Sequence, residues 1–202
     1  MAPPTVPGPT MRVRAARSDD LPAIVALYNH YVANSPVTFD LAPVSVEERR
    51  DWLAEHASGR RHRLLVADDD GRGVVGWATT SPFRTRPGYA TTVEASVYVR
   101  HDAVGEGVGT RLYDRLFRGL DSEDIERIVA GVVVPNPASV ALHRRFGFRH
   151  VGTFTRVGRK FGRYWDVAWF ERPPAVPGAL SAPPETGEVS GPGEISPATP
   201  RD

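Results

Sequence analysis

The chain contains no cysteine in 202 residues, which removes disulfides, thiol nucleophiles and thiolate-based zinc sites. It also has no long apolar span: nothing approaches the roughly 20 apolar residues of a membrane helix, and no charged-then-apolar leader opens the chain, so the cytoplasm is the expected compartment and no membrane partner is implied. An excess of one charge is missing too. Lys and Arg number 25 against 24 Asp and Glu, a formal net charge of +1 with the signs interspersed, so no basic field points to nucleic acid. The six histidines form no H-x-x-x-H pair on a convincing helix, and no metal is expected. What remains is a chain with 41 % hydrophobic residues, enough for one sizeable core, whose expected partner is a small molecule.

The ends differ from the middle. Residues 1–10 hold four prolines and a glycine, and from Pro173 to Asp202 Pro, Gly, Ala, Ser and Glu dominate. Both are expected to be disordered, leaving one domain over residues 11–172. Within it, Met11 to Ala16 reads as a strand, and Ser18 as the cap of a helix with the stripe Leu21, Ile24, Val25, Tyr28 and Val32. A loop bearing Phe39, an aromatic able to wall a pocket, leads to Ser45 and Glu48, a capping-box pair that starts a second helix fading by Gly59. Leu64 to Ala67 and Val74 to Thr80 flank the turn DDDGRG as a hairpin with a bulge expected at Gly76.

The segment FRTRPGY, with Arg84, Arg86 and Tyr89, then feeds a strand from Thr91 to Val99. By the two-residue period Val93, Ala95, Val97 and Val99 face one way, and Glu94 shares the other face with Thr92, Ser96 and Tyr98. Ile128 to Val134 is a nearly continuous β-branched run, expected for a buried central strand. After it Asn136 and Pro137 are placed as N-cap and first residue of a helix ending near Gly147, with Ser139 and His143 four apart on one face. Phe148 to Val157 and Tyr164 to Phe170 make a last hairpin around a turn bearing Gly158 and Gly162.

The organising stretch is VYVRHDAVGEGVGT, Val97 to Thr110. It runs from strand through Gly105, Gly107 and Gly109 into an amphipathic helix carrying Leu112, Leu116 and Leu120. Glycines at every second position let backbone N–H groups converge at a helix N-terminus, where an anion such as a pyrophosphate is favoured. It is not a Walker loop, because Thr110 and Arg111 follow the last glycine instead of Lys and Ser or Thr. It is not a dinucleotide fingerprint either, because the spacing is G-x-G-x-G in mid-chain.

The element order resembles the GNAT (Gcn5-related) N-acetyltransferases across residues 11–172, and the segments NHYVANSPVTF, TVEASVYV and VPNPASVALHRRFGF resemble their phosphinothricin acetyltransferase branch. The resemblance implies an α/β fold with a central mixed, mostly antiparallel sheet flanked by helices. It implies acetyl-CoA as co-substrate, its pantetheine arm along Val97, Tyr98 and Val99, and its pyrophosphate on the loop Val104, Gly105, Glu106, Gly107, Val108, Gly109 and Thr110. Asn136 and Ser139 belong to the same cofactor side. It further implies Glu94 and His143 as catalytic residues, Phe39, Arg84, Arg86 and Tyr89 facing a phosphinothricin-like or methionine sulfoximine-like acceptor, and a homodimer.

Two departures from the superfamily pattern stand out. Its loop usually begins with Gln or Arg where this chain has Val104, which should weaken CoA binding without abolishing it, because backbone N–H groups hold the phosphates. Its general acid is usually a Tyr seven residues after the capping Asn, where this chain has His143, as in the phosphinothricin branch. Tyr113, on the glycine-loop helix, is a further residue able to approach the sulfur.

Acetyl transfer to an amine needs a free lone pair and a destination for the proton. A carboxylate of reference pKa about 4.3 cannot readily take a proton from an alkylammonium near 10, so Glu94 is expected to work through raised basicity or a water relay. Another acceptor, such as a peptide N-terminus, would call for an acidic groove that the Arg84, Arg86, Tyr89 loop argues against. A non-catalytic acyl-CoA-binding module would not need both Glu94 and His143.

Overall fold

In this computed structural model the described residues are 10–56 and 61–174. The two expected disordered ends, save residues 10, 173 and 174, and the fading of the second helix near Gly59 lie outside them. Strands β1 (Met11–Ala15), β2 (Arg63–Asp69), β3 (Gly73–Pro82) and β4 (Thr92–Val99) pair antiparallel in chain order. With β5 (Arg127–Val134), β6 (Arg149–Lys160) and β7 (Arg163–Arg172) they form one sheet ordered β1-β2-β3-β4-β5-β7-β6. Among the described strands only β4 and β5 run parallel. A parallel neighbour needs a crossover, and helix α3 (Val108–Arg118) provides it. The mixed, mostly antiparallel sheet expected from the sequence is therefore present.

Helix α1 (Leu21–Asn34) buries Leu21, Ile24, Val25, Leu27 and Val32, and Ile24 and Leu27 pack on Leu64, Val66 and Trp77 of the sheet. It does not start from a Ser18 cap. Ser18–Asp20 forms a single 3-10 turn instead, because the Asp20 carboxylate accepts from the Arg17 N–H at 2.8 Å and both its oxygens are gripped by Arg14 at 2.6 and 2.8 Å. The Ser45–Glu48 pair does form a capping box ahead of α2 (Glu48–His56): each backbone N–H is bonded by the other residue's side chain.

Helix α3 covers the opposite face, burying Val108, Leu112, Tyr113, Leu116 and Phe117 against Val75, Ala78, Val93, Ala95 and Ile128. Each such side chain contributes at most about 1.5–3 kcal/mol. The close approach depends on Gly76, where a Cβ would meet Val108 Cγ1 at 2.9 Å and the Tyr98 carbonyl at 3.0 Å. The bulge expected there is observed: Ala67 pairs with Gly76 and Asp68 with Val74, skipping Val75.

The last hairpin departs from expectation. Lys160 pairs with Arg163, so the turn is Phe161–Gly162, both at positive φ (53° and 73°), and Gly158 lies within β6 opposite Trp165. Between Phe154, paired with Val167, and Gly158, the residues Thr155, Arg156 and Val157 bulge against Asp166 alone. The Asp166 carboxylate holds this bulge by accepting from the Arg156 N–H at 2.7 Å, with Arg156 at φ 54°.

Candidate active site

Strands β4 and β5 pair only where Thr92–Glu94 meets Arg127–Val129. Beyond that point they splay, and a cavity of about 200 Å³ opens between Ala95–Val99 on one wall and Gly131–Val133 on the other. The splay deprives the second half of β4 of its sheet partner on that side. Backbone polar groups so exposed suit an extended, amide-bearing arm. Tyr31 already engages one of them, its hydroxyl donating to the Val99 carbonyl at 2.5 Å.

Val104 forms part of the rim of this wedge, and the glycine stretch follows it. Gly105 (φ 90°) and Gly107 (φ 78°) need the left-handed region, Gly107 as the N-cap of α3. Gly109 does not: Val108, Gly109 and Thr110 are the first turn of α3 and no longer loop, and the missing Cβ of Gly109 makes room for Leu142 Cδ2, which a Cβ would meet at 3.1 Å. The leading N–H groups of a helix have no intrahelical acceptor and favour an anion. Glu106 brings a negative charge to the turn, countered by Arg72, which donates to its carboxylate at 3.1 and 2.7 Å and also reaches Asp69.

Across the wedge, Asn136 caps α4 (Pro137–Arg145), its side chain accepting from the Ser139 N–H at 3.1 Å. The wedge lining includes Asn136, Ser139 and His143, and Tyr113 from α3. His143 Nδ1 lies 2.7 Å from the Ser139 carbonyl. A carbonyl only accepts, so the ring proton sits on Nδ1 and Nε2 accepts the Tyr113 hydroxyl at 3.0 Å. Burial pushes the His143 pKa down, partly offset by the Ser139 bond, so the imidazole is held neutral. Burial, with Tyr98 and Glu94 adding to it, pushes the Tyr113 hydroxyl pKa up.

Glu94 lies on the other face of β4, in a second cavity of about 390 Å³ shared with Phe39 and Arg84 and floored by Gly131, Val133 and Trp169. Val37, Gly131 and Val133 line both cavities, so the two meet through a common wall. Glu94 is half-buried. Desolvation raises its pKa and the Arg84 guanidinium opposes the rise. Tyr89 borders an adjoining cavity of about 530 Å³, where Arg84 also appears; Arg84 lies 4.5 Å over the Phe83 ring, and Tyr89 meets that ring edge-on. Arg86 borders neither space and leads the 3-10 turn Pro87–Tyr89.

The structure thus gathers Val97, Tyr98, Val99, Val104, Asn136, Ser139 and His143 around the wedge, and Phe39 and Arg84 with Glu94. Sequence reasoning missed Tyr31, Val37, Gly131 and Trp169. Only Gly131 carried a signal, since a glycine inside a β-branched strand marks a close approach of something else.

The Acetyltransferase (GNAT) domain family matches residues 13–169. The chain is 53 % identical over 164 residues to a phosphinothricin N-acetyltransferase of Streptomyces coelicolor, covering 81 % of this chain and 96 % of that one. It is 36 % identical over 159 residues to an L-methionine sulfoximine/L-methionine sulfone acetyltransferase of Pseudomonas paraeruginosa, covering 79 % and 92 %. Its fold superposes with a TM-score of 0.78, at 31 % identity and covering 88 % and 95 %, on the crystal structure of a GNAT superfamily phosphinothricin acetyltransferase from Sinorhizobium meliloti in complex with AcCoA.

Proposed function

The chain belongs to the GNAT acetyltransferase family, on its phosphinothricin acetyltransferase-like branch, and from that premise we propose that it transfers an acetyl group from acetyl-CoA to the amine of a small anionic amino acid of the phosphinothricin or methionine sulfoximine/sulfone type. The observation that carries this reading is the joining of two cavities through one wall. One is a narrow wedge lined by strand backbone and reached from a helix N-terminus; the other holds a carboxylate, Glu94, beside a guanidinium, Arg84.

Acetyl-CoA supplies an activated acetyl thioester. The splayed half of β4, the positive-φ glycines and the first turn of α3 suit its pantetheine arm and pyrophosphate, and Val104 leaves the phosphates to backbone donors and the helix dipole. In the transfer a C–N bond forms and the C–S bond breaks. The acceptor nitrogen, an ammonium near neutral pH, loses two protons: one passes by way of Glu94 to solvent and one ends on the thiol.

Glu94 accepts the amine proton. Its raised pKa narrows the gap to an amine near 10 but does not close it, so the proton passes through solvent in the open cavity. Arg84 pairs with an anionic group of the acceptor and orients its amine. His143 stays neutral with both nitrogens engaged, so it serves as a hydrogen-bond acceptor that fixes Tyr113 and not as a proton donor. A leaving thiol of pKa about 8.5 needs little acid assistance near neutral pH.

The active species is proposed to be a homodimer in the cytoplasm; Val151, Phe161 and Tyr164 on the β6–β7 hairpin are exposed apolar side chains available to a second copy. Light scattering giving a monomer mass would remove the dimer. The test of function is thiol release from acetyl-CoA with phosphinothricin, methionine sulfoximine, methionine sulfone and an uncharged primary amine of similar size. The anionic acceptors are expected to give the higher kcat/KM, and a preference for the neutral amine would overturn the acceptor class.

A further inference from the structure

The acceptor cavity is walled on its outer side by two segments far apart in sequence. Phe39 comes from the loop after α1, and Phe154 and Val157 come from either end of the β6 bulge. Phe154 and Val157 are each 59 % exposed in the single chain, so among the described residues no other segment of the same chain holds them from behind. What joins the two segments is a pair of β6 residues beyond the bulge. The distal edge of the Phe39 ring rests on Gly158 so closely that a Cβ there would lie inside the ring's van der Waals surface. No positive φ requires a glycine at 158; the ring alone does. Two residues on, Lys160 is only 4 % exposed and its ammonium donates to the Thr38 carbonyl at 2.8 Å. The α1 side grips the same loop, where the Tyr28 hydroxyl bonds Thr38 Oγ1 at 2.6 Å and Asp40 at 2.7 Å.

We propose that Gly158 and Lys160 are positioning residues that set the width of the acceptor cavity, and with it the amines the enzyme takes: Gly158 by admitting the Phe39 ring against β6, Lys160 by clamping Thr38. This rests on assigning the Glu94 cavity to the acceptor. Neither residue borders that cavity, so each acts through Phe39 and its loop. The buried ammonium suits this task because a charge-assisted bond resists the sliding of a loop more than a neutral one would. Gly158 suits it because any side chain would drive Phe39 off its seat and leave the wall unanchored.

The test uses whichever amine the full-length wild-type enzyme acetylates fastest, so it stands whether or not that amine is anionic. Gly158→Ala and Phe39→Ala are each expected to lower kcat/KM for the amine by about 10- to 100-fold, mainly through its KM, the scale expected when a positioning contact is displaced by about 1 Å. The KM for acetyl-CoA should stay within about twofold. In the Phe39→Ala background the clash is gone, so adding Gly158→Ala should cost less than about another twofold. Lys160→Met should raise the amine KM in the same direction. Full additivity of Phe39→Ala and Gly158→Ala, or a parallel rise in the acetyl-CoA KM in Gly158→Ala and Lys160→Met, would overturn the proposal. Melting temperatures of all four variants separate misfolding from a displaced wall, since the Phe39→Ala/Gly158→Ala protein carries no steric conflict.

Discussion

The Tyr113 hydroxyl donates to Nε2 of His143 at 3.0 Å in the protein interior, joining α3 to α4. Each of these helices brings its N-terminus to the wedge region, α3 through Gly107 and α4 through Asn136. The bond therefore couples the turn built for an anion to the helix cap across from it. It also uses the last free nitrogen of His143.

The neutral His143 makes stability depend on pH in a predictable direction. Its folded pKa is depressed by burial, whereas in the unfolded chain it binds a proton near pH 6.5. Protons are thus taken up on unfolding in the window below about 6.5, so its contribution is present above that pH and is lost as pH falls through the window. His143→Phe should shrink the drop in melting temperature between pH 7.5 and pH 5.5 relative to wild type. An unchanged drop would show that His143 does not titrate on unfolding.

Tyr113 and His143 both line the wedge and hold each other in place, so Tyr113→Phe and His143→Gln should each lower kcat by displacing the thioester, and the double variant should be no slower than the worse single one. Tyr113→Phe leaves Nε2 unbonded in the interior, so a loss of about 1–3 kcal/mol in stability is expected alongside. Additive effects on kcat in single-turnover measurements would separate the two roles.

Glu94→Gln should lower kcat by about 10² to 10⁴ fold, the usual worth of a general base, with acetyl-CoA affinity little changed. It should not lower the melting temperature at neutral pH. Burial raises the Glu94 pKa, so the folded protein holds its proton more tightly than the unfolded chain, and the cost of the ionised form is present above the raised pKa. Gln removes that cost. A variant that lost activity and stability together would point to a structural carboxylate instead.

Much of this was legible because the signals were local. The period-two alternation placed Glu94 opposite Val93 and Ala95, and those two are buried under α3. Asn136 followed by Pro137 marked a helix start that the Ser139 N–H bond realises. The misreadings arose where a distant partner decides. Ser18 looked like a cap, but Arg14 on β1 and the Arg17 N–H recruit Asp20. Gly158 looked like a turn glycine, but Phe39, far away in sequence, explains it. The Tyr113–His143 bond could not be read either, because nothing in either helix's own sequence says how the two cross.

Arg84 offers the sharpest discrimination on the acceptor side, because it borders the Glu94 cavity and Arg86 does not. A charge-assisted bond to an ionised acceptor group is worth about 1.5 to 3 kcal/mol, so Arg84→Ala should lower kcat/KM for an anionic acceptor by about one to two powers of ten. Arg86→Ala should do less. The same guanidinium depresses the Glu94 pKa against the larger effect of burial. Removing it should let that pKa rise further, and the acid limb of the kcat/KM profile should move to higher pH. Arg84→Lys should restore most of the pH profile, because it returns a charge, but less of the acceptor affinity, because it lacks the planar fork. The measurement is kcat/KM against pH for wild type and the three variants with phosphinothricin and a neutral amine. An acid limb that stays in place in Arg84→Ala, or an equal loss on the neutral amine, would assign Arg84 to the loop and leave the acceptor anion without a partner at this position.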